Sequence, residues 1–178
     1  MGSLQLPTKP PYTLRTHRPG DMGYITYRHG LLYSQEYNWG SSFESVVAKV
    51  TADFLEDYDA QRERCWIAER DGVFLGCIML VRDRESGTDS NVAKLRVLLV
   101  EPAARGLGLG SRLVAECTKF AREIGYERIR LWTSKELVSA RRLYEKEGYK
   151  LVKSFEQESF QQGRTGDKSI GEHWELVL

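Results

Sequence analysis

Seven residues in the middle of the chain, Arg105-Gly106-Leu107-Gly108-Leu109-Gly110-Ser111, have the composition of an anion site. Glycines remove Cβ atoms where a ligand must approach the backbone, and a helix that begins there presents its first free N–H groups in one direction. A diphosphate at such a turn gains backbone hydrogen bonds and the positive end of a helix dipole, and Arg105 adds a full charge. The spacing argues against two familiar phosphate binders. The residue three after Gly108 is Ser111, not the third glycine of Gly-x-Gly-x-x-Gly, and no Gly-Lys-Ser or Gly-Lys-Thr follows. The remaining chemistry-bearing residues are dispersed. His17, His29 and His173 lie far apart and read as surface or strand-end residues, so no metal is expected. Cys65, Cys77 and Cys117, odd in number and set among apolar neighbours, read as reduced, buried thiols.

The loop needs a strand before it and a helix after it, and the sequence supplies both. Ala93 to Val100 is a nearly continuous apolar run ended by Pro102, which suits a strand buried on both faces. From Leu109 the apolar positions Leu113, Val114, Cys117, Phe120, Ala121 and Ile124 form one stripe of an amphipathic helix that Gly125 stops. Upstream, Tyr12 to His17 alternates as a half-buried strand, and Asp21 stands where it would cap the next helix. Two helices follow, Met22 to His29 and Phe43 to Tyr58, joined by an aromatic segment with Tyr33, Tyr37 and Trp39. Asp71-Gly72 between Cys65–Glu69 and Val73–Arg82 marks a hairpin with a type I′ turn. Downstream, Arg128 to Thr133 reads as a strand, and Thr133 with Glu136 has capping-box spacing before a helix that Gly148 ends. Tyr149 to Phe160 and His173 to Leu178 close the chain as strands. The expectation is an α/β (α+β) domain: a mixed, mostly antiparallel central sheet flanked by helices on both faces.

Composition bounds the rest. The 178 residues are enough for one domain, expected over 12–178 behind a loose, flexible leader at 1–11 that carries three of the five prolines. With 41% hydrophobic and 29% charged residues the chain is globular rather than disordered. A net charge of +1 gives no global excess with which to collect nucleic acid or anionic lipid, so neither is expected as a partner. The longest apolar run, Val73 to Val81, falls well short of the ~20 residues of a membrane span. With reduced thiols and no secretory leader, a cytoplasmic protein is expected.

Arg105-x-x-Gly108-x-Gly110 resembles the acyl-CoA signature of the GCN5-related N-acetyltransferases, the GNAT superfamily. The stretch Ala140-Arg141-Arg142-Leu143-Tyr144-Glu145-Lys146-Glu147-Gly148-Tyr149 resembles that family's last core helix and the turn after it. The likeness runs from about Tyr12 to Leu178. Arg18 to Gly23, Leu95 to Pro102 and Leu131-Trp132-Thr133 look most like the acetyltransferase domains fused behind MarR-type regulators.

The resemblance implies an acetyl-CoA-dependent N-acetyltransferase acting on a primary amine of a small molecule or peptide by direct attack, without metal. It implies that Leu98, Leu99 and Val100 bond the pantetheine arm through their backbone, much as an added strand would. Residues Arg105, Gly106, Leu107, Gly108, Leu109, Gly110 and Ser111 would hold the diphosphate, with Arg141 or Arg142 reaching the more distant phosphate. It makes Tyr144 the general acid for the leaving thiolate.

Two positions depart from the family pattern. Leu137 stands where many members have Asn, and Ser134 is the substitute considered; Lys94 stands where some members keep a glutamate base. An alkylamine with pKa near 10.4 costs roughly 4.6 kcal/mol to present neutral at pH 7 without help. Glu36 is the first candidate base, with Glu101 and Glu69 behind it. The aromatics Tyr24, Tyr27, Tyr33, Tyr37 and Trp39 either line an acceptor pocket for an apolar amine or form core. A non-catalytic acyl-CoA-binding sensor or regulatory domain stands as the alternative function, and a nucleotide-binding protein using the same loop as a third reading. A sheet edge after Phe160 leaves room for a homodimer.

Overall fold

The computed structural model describes residues 11–87, 91–163 and 166–178. The leader expected at 1–11 lies outside these residues except for Pro11. Seven strands form one sheet: β1 (Thr13–Thr16), β2 (Arg64–Arg70), β3 (Val73–Arg82), β4 (Val92–Val100), β5 (Arg128–Ser134), β6 (Lys150–Glu158) and β7 (Lys168–Val177). Their order across the sheet is β1-β2-β3-β4-β5-β7-β6. Every neighbouring pair is antiparallel except β4 with β5. Four α-helices connect them: α1 (Asp21–Tyr37), α2 (Ser41–Glu56), α3 (Leu109–Glu123) and α4 (Val138–Glu147).

Strand alternation divides the core in two. Trp66, Ala68, Ile78 and Leu80 face α3 and α4, where the stripe Leu109, Leu113, Val114, Cys117, Phe120 and Ala121 closes over them. Cys65, Ile67, Cys77 and Met79 face the other way, against Met22, Ile25 and Leu32 of α1 and Phe43, Val47 and Phe54 of α2. All three thiols are free and buried, as their apolar neighbours suggested. Among the described residues no helix is long and apolar enough to cross a membrane.

Several sequence expectations need correction. The first helix does not stop at His29 but runs on to Tyr37, so the supposed aromatic linker is its last two turns. Gly30 is tolerated there because α2 crosses at that point, and a Cβ on it would meet the Glu44 carboxyl at 2.9 Å. Asp21 does not cap α1. Gly20 holds the cap position in a left-handed conformation, while the Asp21 carboxylate accepts from the Arg15 guanidinium at 2.6 and 3.0 Å. Thr133 and Glu136 form no capping box, since Thr133 belongs to β5 and Leu137 is the cap residue of α4. β4 is not buried on both faces throughout, because Lys94 and Arg96 alternate with buried Ala93 and Leu95. The last two strands exchange places: β7 pairs with β5, which leaves β6, not the segment after Phe160, at the edge. The Asp71-Gly72 turn is as expected, with φ of 53° and 77°.

The feature that shapes the site is a break in the middle of the sheet. β4 pairs with β5 over Val92, Ala93 and Lys94 only, whereas β5 pairs with β7 along its whole length. On its other side β4 loses register with β3 between Cys77 and Met79, where one extra residue is accommodated around Val97. Val97 sits at φ 47°, rare for a β-branched residue, and its carbonyl takes the Cys77 thiol at 3.1 Å. The bulge reverses the alternation: Leu95 faces the α3 side, yet so do Leu98 and Val100, while Val97 and Leu99 face α1. β4 thereby turns away from β5, and its edge beyond Lys94 has no ladder partner on that side.

Candidate active site

The gap between β4 and β5 opens into a hollow on each side of the sheet. The larger, about 540 Å³, lies toward α3 and α4 and is lined by Leu98, Leu99 and Val100, by Arg105, Gly106 and Gly108 to Ser111, and by Leu137, Ser139, Ala140 and Leu143. Its floor is the turn into α3. The first helical bond there runs from the Arg112 N–H to the Gly108 carbonyl at 3.1 Å, so the amides of Gly108 to Ser111 precede any partner within the helix. Gly106 and Gly108, both in the cleft lining, have φ of 80° and 72°, and a Cβ on either would meet nothing within 4 Å. Gly110 answers a different need, since a Cβ there would strike Leu143 of α4 at 2.7 Å. The turn thus lets a ligand reach the backbone and lets α4 close over it.

Most of the residues expected at this cleft are in it, with three exceptions. Leu107 is exposed, does not line the cleft, and has its N–H turned back to the Ala104 carbonyl at 3.4 Å. Ser134 is fully buried in β5 with its hydroxyl toward the Ile170 carbonyl at 3.5 Å, so it cannot replace the missing Asn; on α4 it is Ser139 that lines the cleft. Arg141 is turned away as well. Its Nε donates to buried Glu172 at 2.9 Å and its guanidinium lies over Trp174, while Arg142 is exposed.

The smaller hollow, about 90 Å³, lies on the α1–α2 side and is walled by His29, Tyr33, Phe43, Val47, Trp132 and Tyr144, among others. Tyr33, Leu98, Leu137 and Ala140 line both hollows, so the two meet through the gap in the sheet. Tyr144, one turn after Ala140 on α4, lines the smaller hollow only; it is 4% exposed, with its ring 5.7 Å from that of Tyr149. Burial pushes its pKa well above the ordinary phenol value, which keeps the hydroxyl protonated as a donor. Burial does the same to Tyr33.

The structure places the candidate bases less favourably. Glu36 reaches the large cleft but is paired with Arg105 at 2.7 Å. Glu101 is held by both arms of Arg28 at 2.6 and 2.7 Å, and Glu69 is bound to Arg15 at the far edge of the sheet. Lys94 pairs with Asp83 and Glu85. Of the aromatics, Tyr33 lines both hollows, Tyr37 the larger one, and Trp39 is core, whereas Tyr24 and Tyr27 are exposed on the outer side of α1.

His29 was misread as a surface residue. It is 2% exposed, its Nδ1–H donates to the Ile25 carbonyl at 2.9 Å, and its ring stacks on Tyr33. Burial brings its pKa down to about 4, so the ring in the wall of the smaller hollow is neutral near pH 7. Its place in the stripe Met22, Ile25, His29, Leu32 was the available sequence signal.

Comparison with known proteins agrees with this architecture. Residues 32–149 match the Acetyltransferase (GNAT) family. The Escherichia coli protein named uncharacterized N-acetyltransferase YjgM is 30% identical over 120 residues, covering 67% of this chain and 71% of that protein. The crystal structure of ribosomal-protein-alanine N-acetyltransferase from Brucella melitensis has the same fold, with a TM-score of 0.72 at 17% identity over 93% of this chain and 99% of that one. So does yncA from Salmonella typhimurium with its cofactor acetyl-CoA, with a TM-score of 0.69 at 20% identity over 94% of each chain. With its matched segment spanning more than half its length and containing the glycine turn, the sheet gap and Tyr144, the chain belongs to the acetyltransferase (GNAT) family and is a GNAT-type N-acetyltransferase.

Proposed function

We propose that the chain transfers the acetyl group of acetyl-CoA to a primary amine by direct attack, with the cofactor in the larger hollow and the acceptor in the smaller one. The observation that carries this reading is that the two hollows share Tyr33, Leu98, Leu137 and Ala140 at the sheet gap, with Tyr144 in the wall of the smaller one. The cleft fits the cofactor: open space stands where Cβ atoms would be at Gly106 and Gly108, four amides begin α3, and the β4 edge has no partner toward β5. Amides of the α3 turn hold the diphosphate and Leu98 to Val100 align the pantetheine arm. Bound acetyl-CoA supplies an acetyl thioester, which the amine converts to an amide while the thiol leaves. Tyr144 holds a proton in the wall of the smaller hollow and donates a hydrogen bond toward the sulfur. Because burial raises its pKa, this hydrogen bond matters more than complete proton transfer to a thiolate.

Each of the three carboxylates expected as base is held in an ion pair, and the reading assigns the acceptor's proton to solvent before binding. That favours amines of low pKa: an α-amino group at 7.7–8.0 costs roughly 1 kcal/mol at pH 7, against about 4.6 kcal/mol for an alkylamine. Three free buried thiols suit a cytoplasmic setting. The test is thiol release from acetyl-CoA over a panel of amines, amino acids and peptides, with calorimetry of acetyl-CoA binding alongside. Binding with release supports the reading; binding without release from any amine gives the sensor alternative instead.

A further inference from the structure

The acceptor hollow is bordered by a cation, Arg96, that no carboxylate contacts among the described residues. Arg96 lies on β4 next to the bulge at Val97, on the strand that walls the acceptor side. Among the described residues it takes part in no hydrogen bond and no ion pair, although it is largely buried. Three carboxylates lie near enough to feel it, and each is engaged elsewhere. Asp83 accepts from Ser86 at 2.6 Å and pairs with Lys94 at 3.1 Å, Glu85 pairs with Lys94 at 2.7 Å, and Asp53 pairs with Lys49 at 3.3 Å. Burial draws the guanidinium below its ordinary pKa, as it would for a charge with no contact partner.

The hollow does not end at Arg96. Leu95, Arg96 and Trp132 also border a groove of about 480 Å³ on the open face of β5, β7 and β6, whose carboxylates Asp83, Glu85 and Glu175 are paired with Lys94, Arg128 and Arg130 and where, among the described residues, Lys153 has no ion-pair partner. An acceptor reaching through the smaller hollow toward Tyr144 therefore has an uncompensated guanidinium beside its tail, and unpaired positive charge continues along its way in. A guanidinium fork matches a carboxylate in two parallel hydrogen bonds, and both gain strength where water is scarce.

We propose that Arg96 is a specificity-determining residue that selects acceptor amines carrying a carboxylate, as amino acids and short peptides do. The inference rests on the acetyltransferase reading above and names its substrate class. It predicts that removing the negative charge at constant shape is costly, whereas lengthening the apolar part is tolerated.

The experiment compares phenylalanine with phenylalaninamide, and a dipeptide with its C-terminal amide, by thiol release from acetyl-CoA. Aminoethylphosphonate separates carboxylate from other anions, and spermidine serves as the cationic counter-probe. With the wild type, the carboxylate forms are expected to exceed their amides by about 10- to 100-fold in kcat/KM, mostly through KM. In Arg96→Met that ratio collapses toward one, with a larger loss for the carboxylate than for the amide, and Arg96→Lys recovers part of it. Carboxylate and amide turning over equally in the wild type overturns the inference. So does a ratio that survives in Arg96→Met, or preference for spermidine. Preference for the phosphonate over every carboxylate overturns the carboxylate assignment. Acetyl-CoA calorimetry on each variant reports on the cofactor cleft separately, so loss of cofactor binding in the wild type would indict the underlying reading rather than Arg96.

Discussion

The two hollows at the sheet gap, proposed for the cofactor and for the acceptor, are made of different material. The cofactor side is built mainly of backbone: a run of seven residues, Arg105 to Ser111, whose glycines hold φ of 80° and 72° and whose amides begin α3, opposite the unpaired edge of β4. The acceptor side is built of side chains brought from five elements: His29 and Tyr33 on α1, Phe43 and Val47 on α2, Arg96 on β4, Trp132 on β5 and Tyr144 on α4. A backbone surface recognises what is constant in a ligand, such as a diphosphate and an amide chain. A side-chain surface can change one residue at a time and so sets which amine enters. In the proposed reaction the sheet gap lets both be used at once.

The largest effect is expected where the backbone surface is blocked. Gly108→Val forces a β-branched residue into a left-handed conformation, at about 1–2 kcal/mol of strain, and puts methyl groups into the cleft. Acetyl-CoA affinity by calorimetry should fall about 100- to 1,000-fold with the helix content retained, as two or more charge-assisted hydrogen bonds go. Retained affinity would mean that the turn is only a turn.

Next is the acceptor wall. His29 titrates at about 4 in the fold and near 6.5 unfolded, so its folded pKa is depressed. The neutral ring's contribution is fully present above pH 6.5 and is lost as pH falls from there toward 4, by about 3 kcal/mol in all. Denaturant unfolding at pH 7 and pH 4 should show that loss in the wild type and a smaller one in His29→Leu. Equal losses would place a charged, solvated imidazole in the wall.

Tyr144→Phe touches the wall of the smaller hollow. Its expected signature is a fall in kcat of about 100-fold with acetyl-CoA affinity nearly unchanged, since the ring still packs against Tyr149. A normal kcat with a good acceptor removes Tyr144 from the chemistry. The smallest effect belongs to Glu36→Gln. The Arg105–Glu36 pair is partly exposed, so releasing Arg105 toward the diphosphate should lower the KM for acetyl-CoA only about two- to threefold. A hundredfold drop in kcat would instead make Glu36 the base that its position in the sequence suggested.

How far the sequence could be read follows the same division. The glycine turn, the α3 stripe and the Asp71-Gly72 hairpin depend on residues close together in the chain, and all three are where the pattern put them. Helix α1 runs on past His29 because its buried face, Met22, Ile25 and Leu32, packs with Phe43 and Val47 of α2, a contact no local pattern shows. The capping box at Thr133 and Glu136 had the right spacing, but pairing with β7 holds Thr133 in a strand. Arg141 had the right motif, yet buried Glu172, 31 residues away, claims it.

By itself the chain's letter order determined a mixed sheet with helices on both faces, a phosphate-ready turn and the helix that bears Tyr144, because helix stripes, strand alternation and glycine turns are governed by nearest neighbours. Tertiary structure alone decided that the first helix runs on, that β7 inserts beside β5, that the expected bases are paired, and that His29 and Arg96 line one hollow. Those outcomes depend on which charges and rings meet across dozens of residues. No local pattern encodes whether a given arginine, once buried, finds a carboxylate waiting for it.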